Sequence, residues 1–151
     1  METKEKEKES VSLLNDLIII NNDRIEGYET AAKETEDTEL KNLFNSIANE
    51  SRKFKAELLT KVVDLNGSPA EGTNLSGKIY RAWMDVKAAL AKKDRKAILG
   101  SCEYGEDAAL ETYHEALESK ELPSECRSLI REQESSLKKS HDKIKSLRDS
   151  A

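Results

Sequence analysis

The chain has 151 residues, 36% of them charged and 36% hydrophobic, with a net charge of −5 and both signs mixed throughout. That length suits one domain with a real core, and so few breakers, 6 Gly and 2 Pro, suit long amphipathic helices with solvated faces. No basic stripe exists, which argues against a nucleic-acid partner. The apolar run Leu17-Ile18-Ile19-Ile20 is far too short to cross a membrane.

The opening residues, Met1 to Glu9, alternate in charge and lack the apolar core of a signal peptide. They read as a disordered, solvated tail, and the chain as a cytoplasmic protein. A first helix is expected over 10–36, with Leu14, Leu17, Ile18, Ile25, Tyr28 and Ala32 spaced three and four apart. Asp37 is placed to cap a second helix. Its stripe runs from Leu40 through Phe44, Phe54 and Leu58 to Leu65, and Gly67 is expected in the left-handed position that ends it. Residues 68–74 are rich in loop formers. A short helix over 76–91 follows, with Ile79, Trp83, Val86 and Leu90 on one face. Asp94 can cap a helix over 95–119, and Pro123 can open a last helix over 123–149. Cys102 and Cys126 lie on different sides of the turn near 120. An axial gap of roughly 20 Å rules out a bridge, so both are expected as buried, reduced thiols.

The most informative pattern is an internal repeat. Glu26-Gly27-Tyr28-Glu29-Thr30-Ala31-Ala32 recurs as Glu103-Tyr104-Gly105-Glu106-Asp107-Ala108-Ala109. Weaker echoes follow at Glu39 to Phe44 and Glu125 to Ile130. A helical hairpin used twice, with a long crossover carrying the short helix, gives an all-α, ferritin-like four-helix bundle with an additional crossover helix, a single bundle over 10–151. An up-down array of five helices is the alternative.

Carboxylates at matching places raise the question of a metal site. In bundles of this kind two helices give one Glu each and two give Glu-x-x-His, so that oxygens bridge two iron or manganese ions. Glu26 and Glu103, or Glu29 and Glu106, fill the single-Glu roles. Glu50, followed by Lys53, and Glu134, followed by Leu137, leave the other half incomplete. His141 falls on the inner stripe of the last helix. The metal candidates are therefore Glu26, Glu50, Glu103, Glu106 and His141, for Fe or Mn, set against a buried polar cluster in which His141 bonds a carboxylate and no cofactor is needed. Glu111-x-x-His114 reads as a surface pair. Asn21 and Arg24 read as polar ties between helices, as do Arg81 and Asp85. Trp83 reads as the anchor of the short helix, with a small-molecule contact around Trp83 and Tyr80 as the alternative. No phosphate loop, nucleophile elbow or Cys/His pair is present, so no catalytic residue and no substrate are identified.

At Asn21 to Tyr28, Arg81 to Lys87 and Gly105 to Ala109 the sequence resembles an uncharacterised bacterial family of ferritin-like bundles, a domain of unknown function. The resemblance implies that fold and no established activity. Without two Glu-x-x-His motifs, the expected function is a non-enzymatic structural, binding or stress-related module lacking an intact di-iron site. A carboxylate-rich metal protein is the first alternative. A self-associating module, a homodimer formed through Leu13, Leu17, Ile20 and Ile25, is the second.

Overall fold

A computed structural model of the chain describes residues 2–73 and 77–151. Five helices follow in order: α1 (Glu2–Glu34), α2 (Thr38–Asp64), α3 (Gly77–Ala91), α4 (Arg95–Glu118) and α5 (Ser124–Asp149). The molecule is all-helical among the described residues, and no helix there is long and apolar enough to cross a membrane.

The caps follow local chemistry. The Asp37 carboxylate accepts from Leu40 N at 3.1 Å and that of Asp94 from Ala97 N at 3.1 Å, each satisfying an amide that has no partner within its helix. Three expectations are corrected. Residues 2–9 continue α1 as helix where a disordered tail was expected; alternating Glu and Lys carry no apolar stripe, yet they are good helix formers. Asn66, at φ 61°, takes the left-handed position after α2, because the turn comes one residue before Gly67. Gly67 serves a close approach instead, since a Cβ there would meet the Val11 side chain at 2.6 Å. Pro123 is the cap residue before α5 and lies outside the first turn. Asn74, in the expected loop, and residue 76, the expected start of the short helix, lie outside the described residues.

Side-chain pairs set the topology. Arg24 meets Ser51, Asn21 meets Tyr113, Lys61 meets Glu125 and His114 meets Glu134. These pairs place α1 against α2 and α4, and α5 against α2 and α4, with neighbours antiparallel. The connection after α2 climbs back along α1. Asn15 Nδ2 donates to Ser68 O and its Oδ1 accepts from Ala70 N, then Asn22 Nδ2 donates to Gly72 O. α3 then lies over the seam between α1 and α4.

The two glycines of the repeat make that seam. A Cβ at Gly27 would collide with the Trp83 indole, and one at Gly105 would sit 3.5 Å from the Ala82 Cβ. Trp83 packs edge-on to Tyr28, with ring centroids 4.9 Å apart. Trp83 is thus the anchor its spacing implied. Arg81 and Asp85 are exposed, and Arg81 Nε bonds Gly77 O of its own helix, so neither ties the bundle together.

The core falls into two apolar clusters. One gathers Leu14, Leu17, Ile18, Leu58, Ile130 and Leu137; the other gathers Phe44, Ile47, Leu99, Cys102 and Ile144. Of the stripe expected to pair two copies, Leu17 and Ile20 are buried inside this bundle, while Leu13 and Ile25 are half-buried. Between the clusters runs a layer of polar side chains.

Candidate functional site

The polar layer is built by all four long helices. Arg24 of α1 and Glu106 of α4 are almost wholly buried, with side chains 4% and 1% exposed. Arg24 Nη2 donates to Glu106 Oε1 and Oε2 at 3.1 and 3.0 Å, and Nε donates to Oε1 at 3.2 Å. Its Nη1 donates to Ser51 Oγ of α2 at 2.8 Å. Tyr28 Oη donates to Glu106 Oε1 at 2.5 Å. The guanidinium also stacks 5.9 Å from the Tyr28 ring centroid. A forked cation matching both carboxylate oxygens is the geometry in which a buried pair offsets its own desolvation.

Electrostatics follow from burial. Desolvation, the largest single influence, pulls the Arg24 guanidinium down, but Glu106 together with Tyr28, Tyr113 and Glu50 outweighs it and the net shift is upward. Burial, then the Glu106 charge, holds the Tyr28 phenol well above its usual range. Both push the Cys102 thiol up as well. Cys102 and Cys126 are free and buried, as expected. Neither Tyr28 nor Cys102 therefore supplies a nucleophile near neutral pH.

A second chain of bonds continues the layer. Asn21 Nδ2 donates to Leu17 O and to Tyr113 Oη; Tyr113 Oη donates to Gln133 Oε1; Gln133 Nε2 donates to Phe54 O. Burial raises Tyr113 too. Asn21, Tyr113 and Gln133 thus join α1, α4 and α5 to the backbone of α2.

The five metal candidates do not converge. Glu106 is held by Arg24. Glu50 borders the pair, half-buried, with Oε1 enclosed and without a hydrogen-bond partner among the described residues. Its pKa is raised, by burial first and then by Glu106, against the opposing pull of Arg24. Glu26 is exposed on the face toward α3. Glu103 and His141 do meet, with Asp107 as a third member that the sequence reading missed, their ligand atoms within 4.8 Å of one another. His141 Nε2 lies 2.8 Å from Asp107 Oδ1 and 3.6 Å from Glu103 Oε1, while Nδ1 faces Asp142 at 3.0 Å. Arg148 takes the other oxygen of Glu103. Asp107 was findable, since it stands four residues after Glu103 on one helix face. Glu111 and His114 are exposed and turn to different partners, Lys78 and Glu134. In the first copy of the repeat, Glu29 pairs with exposed Arg52, so the two copies share helix packing and not chemistry.

No curated protein matches the chain. Residues 9–119 match the family described as "Domain of unknown function (DUF2383)". The match runs from within α1 through α4, and takes in Arg24, Tyr28, Trp83 and Glu106. The chain belongs to this family of domains, DUF2383.

Proposed function

We propose that this chain is a ferritin-like bundle acting as a non-enzymatic binding module, with its central carboxylate neutralised by its own arginine. The single observation behind this reading is the Arg24–Glu106 pair. The order of helices, up, down, crossover, down, up, supports the ferritin-like description. A di-iron or di-manganese centre does not fit these residues. The inward carboxylate of α4 already carries a fixed cation on both oxygens, and neither α2 nor α5 supplies Glu-x-x-His. Placing a divalent ion beside Arg24 adds positive charge in a dry interior, where repulsion is strongest.

The test is thermal unfolding of metal-stripped protein with and without Fe(II), Mn(II) and Zn(II). A ligand that binds only the folded state raises the Tm. The expected result is no rise from any metal. A rise that survives His141→Ala but is lost in Glu106→Gln overturns the reading.

One observation favours a second reading, the carboxylate-rich metal protein: the meeting of Glu103, Asp107 and His141. That site would hold a single ion through two carboxylates and one imidazole, at the cost of freeing Glu103 from Arg148. It is supported if the metal-induced rise disappears in His141→Ala and persists in Glu106→Gln.

A further inference from the structure

The cleft between α1 and α3 has two rims of opposite charge. The two helices run side by side in one direction: Ile20 and Ile79 line one recess between them, the backbone of Gly27 closes on the Trp83 indole, and Glu34 and Leu90 line the far end. In that register Lys87 of α3 stands level with Thr30 of α1, midway between Glu26 and Glu34. These three charged residues are exposed, and none of their side chains has a partner among the described residues. Charges nearby but off the cleft do find partners: Glu29 pairs with Arg52, Lys78 with Glu111 and Glu36 with Lys93. The cleft encloses about 160 Å³, room for roughly one aromatic ring. On its α3 rim Tyr80 and Met84 follow one another at a helical turn, 52% and 47% exposed.

We propose that this face binds a second copy of the chain, forming a two-fold dimer whose axis runs along the cleft. Such an axis lays α3 of each copy over the α1 rim of the other. Lys87 then meets Glu26 and Glu34 of the partner subunit, and symmetry repeats the contact. Tyr80 and Met84 leave water in the same step. The charges choose the occupant. A two-fold contact needs a patch that is its own complement, and this patch carries a base on one rim, two acids on the other, a recess and protruding apolar side chains. A partner of one charge sign would leave either Lys87 or the glutamates facing its like, which is costly at an interface.

The proposal rests on reading the chain as a binding module and names the partner. The metal titration reads the polar layer, whereas dimerisation reads the outer face of α1 and α3, so either can fail alone. A contact confined to one short helix and one edge of another lies at the small end of interface size, and a Kd of about 10–100 µM is expected. Its ion pairs lie at the surface, so added salt weakens it. No helix is exchanged, and the dimer dissociates on dilution.

The experiment is sedimentation equilibrium of the full chain at low salt, up to about 1 mM, well above the expected Kd. Two variants accompany it: Lys87→Glu, and Glu26→Lys combined with Glu34→Lys. All three positions are exposed, so the fold is expected to survive, and circular dichroism checks that it does. The natural chain should dimerise reversibly. Each variant alone should dimerise about tenfold more weakly or worse, because it sets like charges against each other at both ends of the contact. Mixing the two variants should restore association to within about threefold of the natural chain, since every rim in the mixed dimer again faces its opposite. A natural chain that stays monomeric overturns the proposal. So does a dimer that neither variant weakens, or a mixture that associates no better than its parts. The first of these needs only the natural sequence, so it decides the matter whatever the variants do.

Discussion

Adjacent residues on one helix have opposite fates here. Asp23 and Arg24 point about 100° apart around the helix axis, as successive residues do, so Arg24 reaches the bundle centre while Asp23 faces α3. The sequence shows an acid beside a base and invites a pair that geometry forbids. The true partner of Arg24 stands 82 positions away, beyond any local pattern. Removing one member of a buried pair leaves the other charge uncompensated. Glu106→Gln is therefore expected to cost about 3–5 kcal/mol in urea unfolding, although its amide oxygen can still accept from Tyr28. Replacing both, as Arg24→Met with Glu106→Leu, should cost less than either single change, because the pair also carries its own desolvation. A double variant weaker than both singles would mean that the network, not the charge, holds the layer together.

The helices themselves were legible. Periodicity with the capping residues Asp37 and Asp94 located α2 to α5 within one or two residues of their ends. The start of α1 was not, because its first turns bury little and leave no stripe to read. The repeat was legible as letters but misleading as chemistry. Its carboxylates suggested a shared metal site, whereas its glycines carry the structural meaning by seating α3. Those glycines differ measurably. Gly27→Ala drives a methyl into the Trp83 ring and should cost about 1–3 kcal/mol, as overpacking does, with Trp83 emission shifting to the red as α3 lifts. Gly105→Ala meets Ala82 at ordinary contact distance, and the gain in helix propensity, up to ~1 kcal/mol, should leave it neutral or more stable. Equal losses at both sites would remove the distinction between them.

For the whole molecule, two groups of carboxylates set the pH response. Asp23 is protonated in the fold up to about 7, against 3.8 ordinarily. Between those values the unfolded chain releases its proton while the folded chain keeps it, so stability falls as pH rises through that window and levels off above it. Glu50, raised chiefly by burial, acts in the same direction. Asp37 opposes them. Burial alone would raise it, yet the Leu40 amide and Arg95 hold it below its usual value, so its contribution is present above about pH 4 and lost as pH drops below that. The Tm of the natural chain should therefore peak near about pH 4–5 and decline toward pH 8. Asp23→Asn should flatten the decline and gain about 2–4 kcal/mol at pH 8, the scale of a shift this large. A natural chain whose Tm is constant from pH 5 to pH 8 contradicts this account.

The crossover that climbs along α1 has a consequence for assembly. It is the only covalent tether between the α1–α2 hairpin and the remaining three helices, and three bonds from Asn15 and Asn22 fold it back. If those bonds are lost, an extended tether lets the three-helix half of one chain close on the hairpin of another, with every interior contact preserved. Asn15→Ala with Asn22→Ala is thus expected to populate an exchanged dimer, seen by light scattering, that forms on refolding at high concentration and persists on dilution. Two asparagines of α1, one buried and one half-buried, would then keep each chain folded on itself.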